Sequence, residues 1–185
     1  MNETSSRLPL AITCGDPAGI GPELIARLCA EDPELAGDSV LLGPSRWAEE
    51  LGHKYGLRSL GFGSGSEDPS PGEPNEAGAK IALDAMEEAA RGCLEGRYRG
   101  VVTGPVSKAW LKRVGYVYPG QTEFFAARWG GLPTMAFVGK QLRVVLTTWH
   151  LPLAKVPAAI TEASLQTAVE RAYELARRLG AEEPR

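Results

Sequence analysis

Histidine is scarce in this chain, with two in 185 residues, His53 and His150. One copy therefore cannot supply a three-histidine metal centre. Carboxylates such as Asp16 or Glu123 could complete a mixed site, though nothing in their spacing demands one. Cysteine is also sparse. Cys14, Cys29 and Cys93 are odd in number and far apart, form no C-x-x-C pair, and suit a reducing compartment. No apolar run approaches the ~20 residues of a membrane span. The start, Met1 to Arg7, is short and polar without a signal-peptide pattern. The expected location is the cytoplasm, with no membrane partner. Basic excess is missing too: a net charge of -3 leaves no electrostatic footprint for nucleic acid. Neither G-x-G-x-x-G nor a phosphate loop ending G-K-[ST] occurs, and there is no internal repeat or low-complexity tract.

What the chain does have is a run of nine residues, Gly15 to Glu23 (G-D-P-A-G-I-G-P-E). It follows a short apolar stretch, Leu8 to Thr13, that reads as a buried strand. It precedes Leu24, Ile25, Leu28 and Cys29, which recur at helical spacing. Gly15, Gly19 and Gly21 can take positive φ and admit a ligand close to the backbone. Pro22 suits a first helical position, and the helix N-terminus behind it favours negative charge. An ordinary βα turn and an anion cradle both fit this pattern. Cys14 beside it could be exposed, with a structural role favoured over a reactive one.

Strand and helix signals then alternate. Val40 to Leu42 is a short apolar run, and Ser45 can cap a helix reaching about Leu51. Residues Gly61 to Pro74, with Glu67, Asp68 and Glu73, read as an exposed loop that could serve as a hinge or lid. Asn75 caps the next helix, whose apolar face is Ile81, Ala82, Ala85, Met86, Ala89 and Cys93, with Gly96 as its stop. So many small residues on one face predict tight packing on a sheet. Val101 and Val102 begin another strand. Thr134–Val138 and Leu142–Thr148, separated by three residues, predict an antiparallel hairpin. A last helix spans about Thr161 to Leu179, with Leu165, Ala168, Val169, Ala172, Leu175, Ala176 and Leu179 in helical period and Gly180 ending it. With 185 residues, one domain is the simplest expectation. The alternation predicts an α/β sandwich whose sheet the hairpin makes mixed.

Three further segments carry chemistry. Thr103-Gly104-Pro105-Val106-Ser107-Lys108 follows a strand, where open α/β sheets put their ligand crevices. Lys108 offers a compact positive charge for phosphate or carboxylate, or is merely solvated one turn from Lys112. Pro119-Gly120-Gln121-Thr122-Glu123-Phe124-Phe125 reads as a loop entering a helix, with Thr122 either its cap or, with Gln121, a substrate contact. In Thr147-Thr148-Trp149-His150-Leu151-Pro152-Leu153, His150 ends a strand and is stationed as a metal ligand, a general acid/base or a plain polar group. His53 sits at a polar helix end and is expected to be exposed.

Together these segments resemble the 4-hydroxythreonine-4-phosphate dehydrogenase family of pyridoxal phosphate biosynthesis. The resemblance rests on G-D-P-A-G-I-G-P-E at 15 to 23, V-T-G-P-V-S-K at 102 to 108, P-G-Q-T-E-F at 119 to 124 and T-T-W-H-L-P-L at 147 to 153. The ending, R-L-G-A-E-E-P-R, looks like the family's run into its next strand. The resemblance implies an isocitrate/isopropylmalate-dehydrogenase-like three-layer α/β/α fold and a homodimer. It implies oxidation of the secondary alcohol of a phosphorylated hydroxy-amino acid with NAD or NADP, followed by decarboxylation. A divalent metal (zinc, magnesium or cobalt) would acidify the alcohol and absorb enolate charge. By resemblance, His150 matches the first of three metal-ligating histidines, and Gln121 and Thr122 match a substrate-binding pair. Asp16, Gly19, Gly21 and Lys108 match cleft-lining segments. No catalytic residue is assigned.

Two departures matter. The family pair is usually His-Thr; glutamine still hydrogen-bonds a substrate but cannot titrate near neutral pH. A related phosphorylated sugar acid, such as a threonate or erythronate, is therefore an alternative substrate. Ser107 also stands where Asn is common. In addition, family chains run well beyond Arg185. The expectation is an N-terminal portion of the family fold over 1–185, inactive alone and prone to self-association through uncovered apolar faces. Competing readings are a non-catalytic phosphate-binding remnant and a phosphate acyltransferase, which would need neither nicotinamide nor His150.

Overall fold

The computed structural model of the chain describes residues 7–65 and 69–184. Glu67 and Asp68 of the expected loop lie outside them. The chain divides into two compact units, Met1–Gly130 and Gly131–Arg185, where a single domain was expected. None of the helices among the described residues is long and apolar enough to cross a membrane.

The first unit contains strands β1 (Leu10–Thr13), β2 (Ser39–Pro44), β3 (Arg58–Phe62) and β4 (Gly100–Thr103). Its helices are α1 (Gly21–Glu31), α2 (Pro33–Gly37), α3 (Ser45–Tyr55), α4 (Glu76–Leu94), α5 (Lys108–Arg113) and α6 (Gln121–Trp129). The strands form one sheet in the order β3-β2-β1-β4, parallel throughout. The strand β3 escaped the sequence reading because Arg-Ser-Leu-Gly-Phe shows neither alternation nor an apolar run. Pairing with β2, not burial, creates this edge strand.

Pleating sends alternate residues to opposite faces. Ala11, Val40 and Leu42 meet Ala82, Ala85, Met86 and Ala89 of α4, with Leu111, Phe124 and Phe125 beyond. Ile12, Cys14 and Leu41 meet Ile25 and Cys29 of α1, Ala36 of α2 and Leu51 of α3. Helices thus cover both faces, giving the expected three-layer α/β/α arrangement. The expected cap of α4 is present, with Asn75 Oδ1 accepting from the Gly78 N–H at 2.7 Å, and Gly96 takes φ 68° just beyond the helix end. Helix α4 packs against all four strands. It must, because β3 and β4 lie at opposite edges and α4 carries the chain between them. Small side chains on its inner face let it cross close to the sheet.

One buried charge holds the end of α4. The Glu88 side chain is only 5% exposed and accepts from Arg97 at 2.5 Å and from Arg91, with the Tyr98 hydroxyl at 3.4 Å. Burial works to raise the Glu88 carboxyl, but Arg97 and Arg91 outweigh it and hold it below the ordinary carboxylate range.

The second unit contains a hairpin of β5 (Ala136–Val138) and β6 (Arg143–Val145), then α7 (Val156–Ala159) and α8 (Glu162–Arg178). The predicted hairpin is antiparallel, with Phe137 opposite Val144. It forms its own two-stranded sheet instead of making the parallel sheet mixed. Both strands are shorter than expected, so His150 lies beyond β6 and does not end a strand. Helix α8 matches its predicted span. Thr161 and Ser164 close a reciprocal capping box, and Gly180 takes φ 92°.

Replacing Glu88 by Gln should lower the stability of the first unit by about 2 kcal/mol near neutral pH. A depressed carboxyl contributes stability above its unfolded pKa and loses it as pH falls through the folded value. The gap between wild type and Glu88→Gln in urea unfolding should therefore close with acidification. A gap that stays constant down to about pH 3 would contradict this.

Candidate functional site

Strand order reverses between β1 and β4. From β1 the chain moves outward through α1 to β2 on one side, whereas β4 joins on the other side through α4. After β4 the chain enters α5, on the opposite face from α1. Helices diverging to opposite faces leave a crevice at the carboxyl ends of β1 and β4. Both loops singled out in the sequence, 15–23 and 103–108, lie there.

Their backbones are in direct contact. The Gly104 N–H donates to Thr13 C=O at 2.9 Å, and the Asp16 N–H donates to Pro105 C=O at 2.7 Å. Gly15 alone among the three expected glycines has positive φ, 75°, and a Cβ there would lie 2.2 Å from the Pro105 oxygen. Gly21 is required for proximity instead, since its Cβ would lie 1.8 Å from the Cys14 oxygen. Gly19 is exposed and has ordinary φ. Asp16 is half-buried, and its Oδ1 accepts from the Ala18 N–H at 3.0 Å, so it shapes the turn. Cys14 is fully buried, not exposed. The described end of the 61–74 loop also reaches this site, where the Gly72 N–H donates to Ala18 C=O at 2.8 Å.

The third motif joins through Gln121. Its Nε2 donates to Gly104 C=O at 3.2 Å. Because that carbonyl can only accept, the amide orientation is set, and Oε1 is the free atom. Thr122 lies inside the first turn of α6; Gly120 occupies the cap position expected of Thr122, without a side-chain cap. The first N–H groups of α6 thus remain available in the direction that favours anions. Lys108 is exposed at the start of α5 and has no ion-pair partner among the described residues. A methyl group at Gly120 would stand 4.0 Å from Lys108 Nζ and 2.9 Å from Glu123 Oε2, so both side chains border this loop.

Four buried polar atoms here lack protein partners: Thr13 Oγ1, Tyr116 OH, Gln121 Oε1 and Glu123 Oε2. Burial, followed by the nearby Glu123 charge, pushes Tyr116 up to about 12. Sequence reading named neither Tyr116 nor Thr13 as polar members of this region. Thr13, a hydroxyl at the end of an apolar strand, was the one visible signal.

His150 belongs to the second unit. It is exposed, with φ 56°, a left-handed conformation uncommon for a residue with a side chain. Among the described residues, no group of three or more His, Cys, Asp or Glu side chains is arranged to hold a metal. His150 is therefore at most one ligand of the expected metal centre, which the described residues do not complete. His53 is exposed, as expected.

Gly21→Ala should destabilise the first unit by about 3 kcal/mol, because the contact is backbone against backbone. Lys108→Ala should change stability by less than about 0.5 kcal/mol. Urea unfolding of both variants checks this contrast, and equal effects would refute it.

The sequence profile of the family described as "Pyridoxal phosphate biosynthetic protein PdxA" matches residues 48–185. A 4-hydroxythreonine-4-phosphate dehydrogenase of Erythrobacter litoralis is 38% identical, over 96% of this chain and 60% of its own length. The crystal structure of the Klebsiella pneumoniae enzyme of that name superposes with a TM-score of 0.84 at 25% identity, covering 99% of this chain and 62% of that one. A terephthalate 1,2-cis-dihydrodiol dehydrogenase from Burkholderia xenovorans shares the fold at TM-score 0.69 and 24% identity, over 96% of this chain and 60% of the other. The chain thus spans about 60% of the length of the relatives it matches.

Proposed function

The chain belongs to the PdxA family of pyridoxal phosphate biosynthetic proteins, and from that membership we propose that it forms the substrate crevice of an oxidoreductase acting on 4-phosphohydroxy-L-threonine. The observation that carries this reading is the convergence of loops 15–23, 103–108 and 119–123 at the strand-order reversal. The carboxyl ends of β1 and β4 and the start of α6 face the same region.

The residues divide the work by chemistry. Lys108 supplies an unpaired ammonium for the phosphate or carboxylate of the substrate. The uncapped first turn of α6 adds backbone N–H donors beside it. Gln121 is held by Gly104, which leaves its buried Oε1 as an acceptor without a protein partner beside the crevice, and Thr122 can donate or accept. Gly15 and Gly21 keep the loop close-packed, which fixes the crevice wall before substrate arrives. NAD or NADP, when bound, would supply the hydride acceptor: the carbinol carbon would give up its hydride and the hydroxyl its proton to solvent, leaving a β-keto acid that would lose carbon dioxide. No step is assigned to a metal, because among the described residues no group of three or more His, Cys, Asp or Glu side chains is arranged to hold one. The same reading carries a homodimer in the cytoplasm.

Gln121 favours a second reading. A neutral amide where the family pair is usually His-Thr suits a phosphorylated threonate or erythronate. Nicotinamide reduction, read by absorbance with each substrate and a divalent metal, separates the two. Turnover of 4-phosphohydroxy-L-threonine that falls at least about 100-fold in Lys108→Ala supports the first reading. Turnover confined to the sugar acid supports the second. Phosphate binding by calorimetry without turnover of either, indifferent to metal, would reduce the crevice to a binding site.

A further inference from the structure

Two opposite charges beside the crevice each lack a partner. The Lys108 ammonium is exposed at the start of α5 and closes no ion pair among the described residues. Glu123, in the first turn of α6, keeps its Oε2 buried and without a hydrogen-bond donor. Gly120 separates them. A Cβ built there would stand 2.9 Å from Glu123 Oε2 and 4.0 Å from Lys108 Nζ, and no other described atom outside residues 119–121 comes within 4 Å of it. Its φ of -159° is extended backbone, which any residue adopts, so glycine serves here by leaving a gap. The flexible lysine stem can cross that gap.

A third unpartnered group acts on the same carboxylate. Tyr116 is 3% exposed, and its hydroxyl has no partner. Burial first, then the Glu123 charge, pushes its pKa up to about 12, so near neutral pH the phenol keeps a proton to donate. Arg128, the cation that also acts on Tyr116, is committed to Glu87. Glu123 therefore has two candidate donors, one cationic and one neutral. A buried carboxylate oxygen without any donor is costly, so it is served by one when the other leaves. We propose that Glu123 is the exchangeable counter-ion of Lys108. With the crevice empty, the lysine swings over Gly120 onto the carboxylate. When an anionic group such as a substrate phosphate arrives, Lys108 leaves for it and the Tyr116 hydroxyl takes the carboxylate over. Glu123 and Tyr116 are then positioning residues, which act on the ligand through Lys108 and set how tightly it is held. This inference rests on the reading of Lys108 as the anion-binding group.

Calorimetry with inorganic phosphate on the 185-residue chain should give opposite signs for the two residues. Glu123→Gln removes the competitor and should tighten phosphate about fivefold. Tyr116→Phe leaves the displaced carboxylate without a donor and should weaken phosphate about fivefold. In the double variant the carboxylate is gone, so the Tyr116→Phe penalty should vanish. Effects of equal sign, or a penalty that persists in the double variant, would overturn the proposal. An amine-reactive ester, with mass-spectrometric readout, tests the pair with no anion present. Glu123→Gln should speed acylation of Lys108 about threefold and leave Lys112, exposed one turn on, unchanged. An unchanged Lys108 rate would overturn the proposal whatever phosphate does. Phosphate affinity unaltered in Lys108→Ala would refute the anion-binding reading and the exchange with it. The acylation contrast, which needs no phosphate, tells that failure from a failure of the pair.

Discussion

The crossing of α4 over the whole sheet is the constraint on which the rest of the first unit depends. With β3 at one edge and β4 at the other, the connection has to traverse β2 and β1. Only a long helix with a nearly flat, alanine-rich inner face can lie that close to the strands. Its success puts β4 beside β1, and that single adjacency makes the strand order reverse. The crevice therefore follows from α4 packing, although α4 contributes none of the proposed ligand groups. The Glu88 network at its far end secures the turn that returns the chain to β4.

At the reversal the local chemistry is one of close backbone approach. Gly15 and Gly21 allow the β1 loop to touch the β4 loop and its own strand end, and Gln121 fastens the third loop to the same carbonyl neighbourhood. Rigid backbone contacts of this kind leave side chains such as Lys108 free for a ligand. The buried acceptors without protein partners lie in the same region. Unsatisfied groups are costly in a folded interior, so their concentration at a crevice accords with a polar ligand or water completing them.

The second unit obeys different energetics. Its hairpin and α8 are locally well specified, by pairing and by a capping box. Local specification does not supply burial, and a unit with no buried residue gains little from the hydrophobic effect. The apolar positions predicted along α8 are real, but half of that arc faces solvent. Sequence periodicity reports which residues can be buried, not what buries them.

The sequence by itself determined the helices with strong period, the Asn75 cap of α4 among them, and the β1, β2 and β4 strands with their apolar runs. It also marked the four motif segments that identify the family. Local rules suffice for these because caps, periods and turns act over a few residues. Only the tertiary structure decided that β3 is a strand, that the hairpin forms a two-stranded sheet of its own, and that Gly21 serves proximity and not positive φ. It also decided that Asp16 shapes a turn while Lys108 stays unpaired. Each of these outcomes depends on residues distant in the chain meeting in space. Strand order above all leaves no trace in local composition, yet it alone brings residues 15–23, 103–108 and 121 to one crevice.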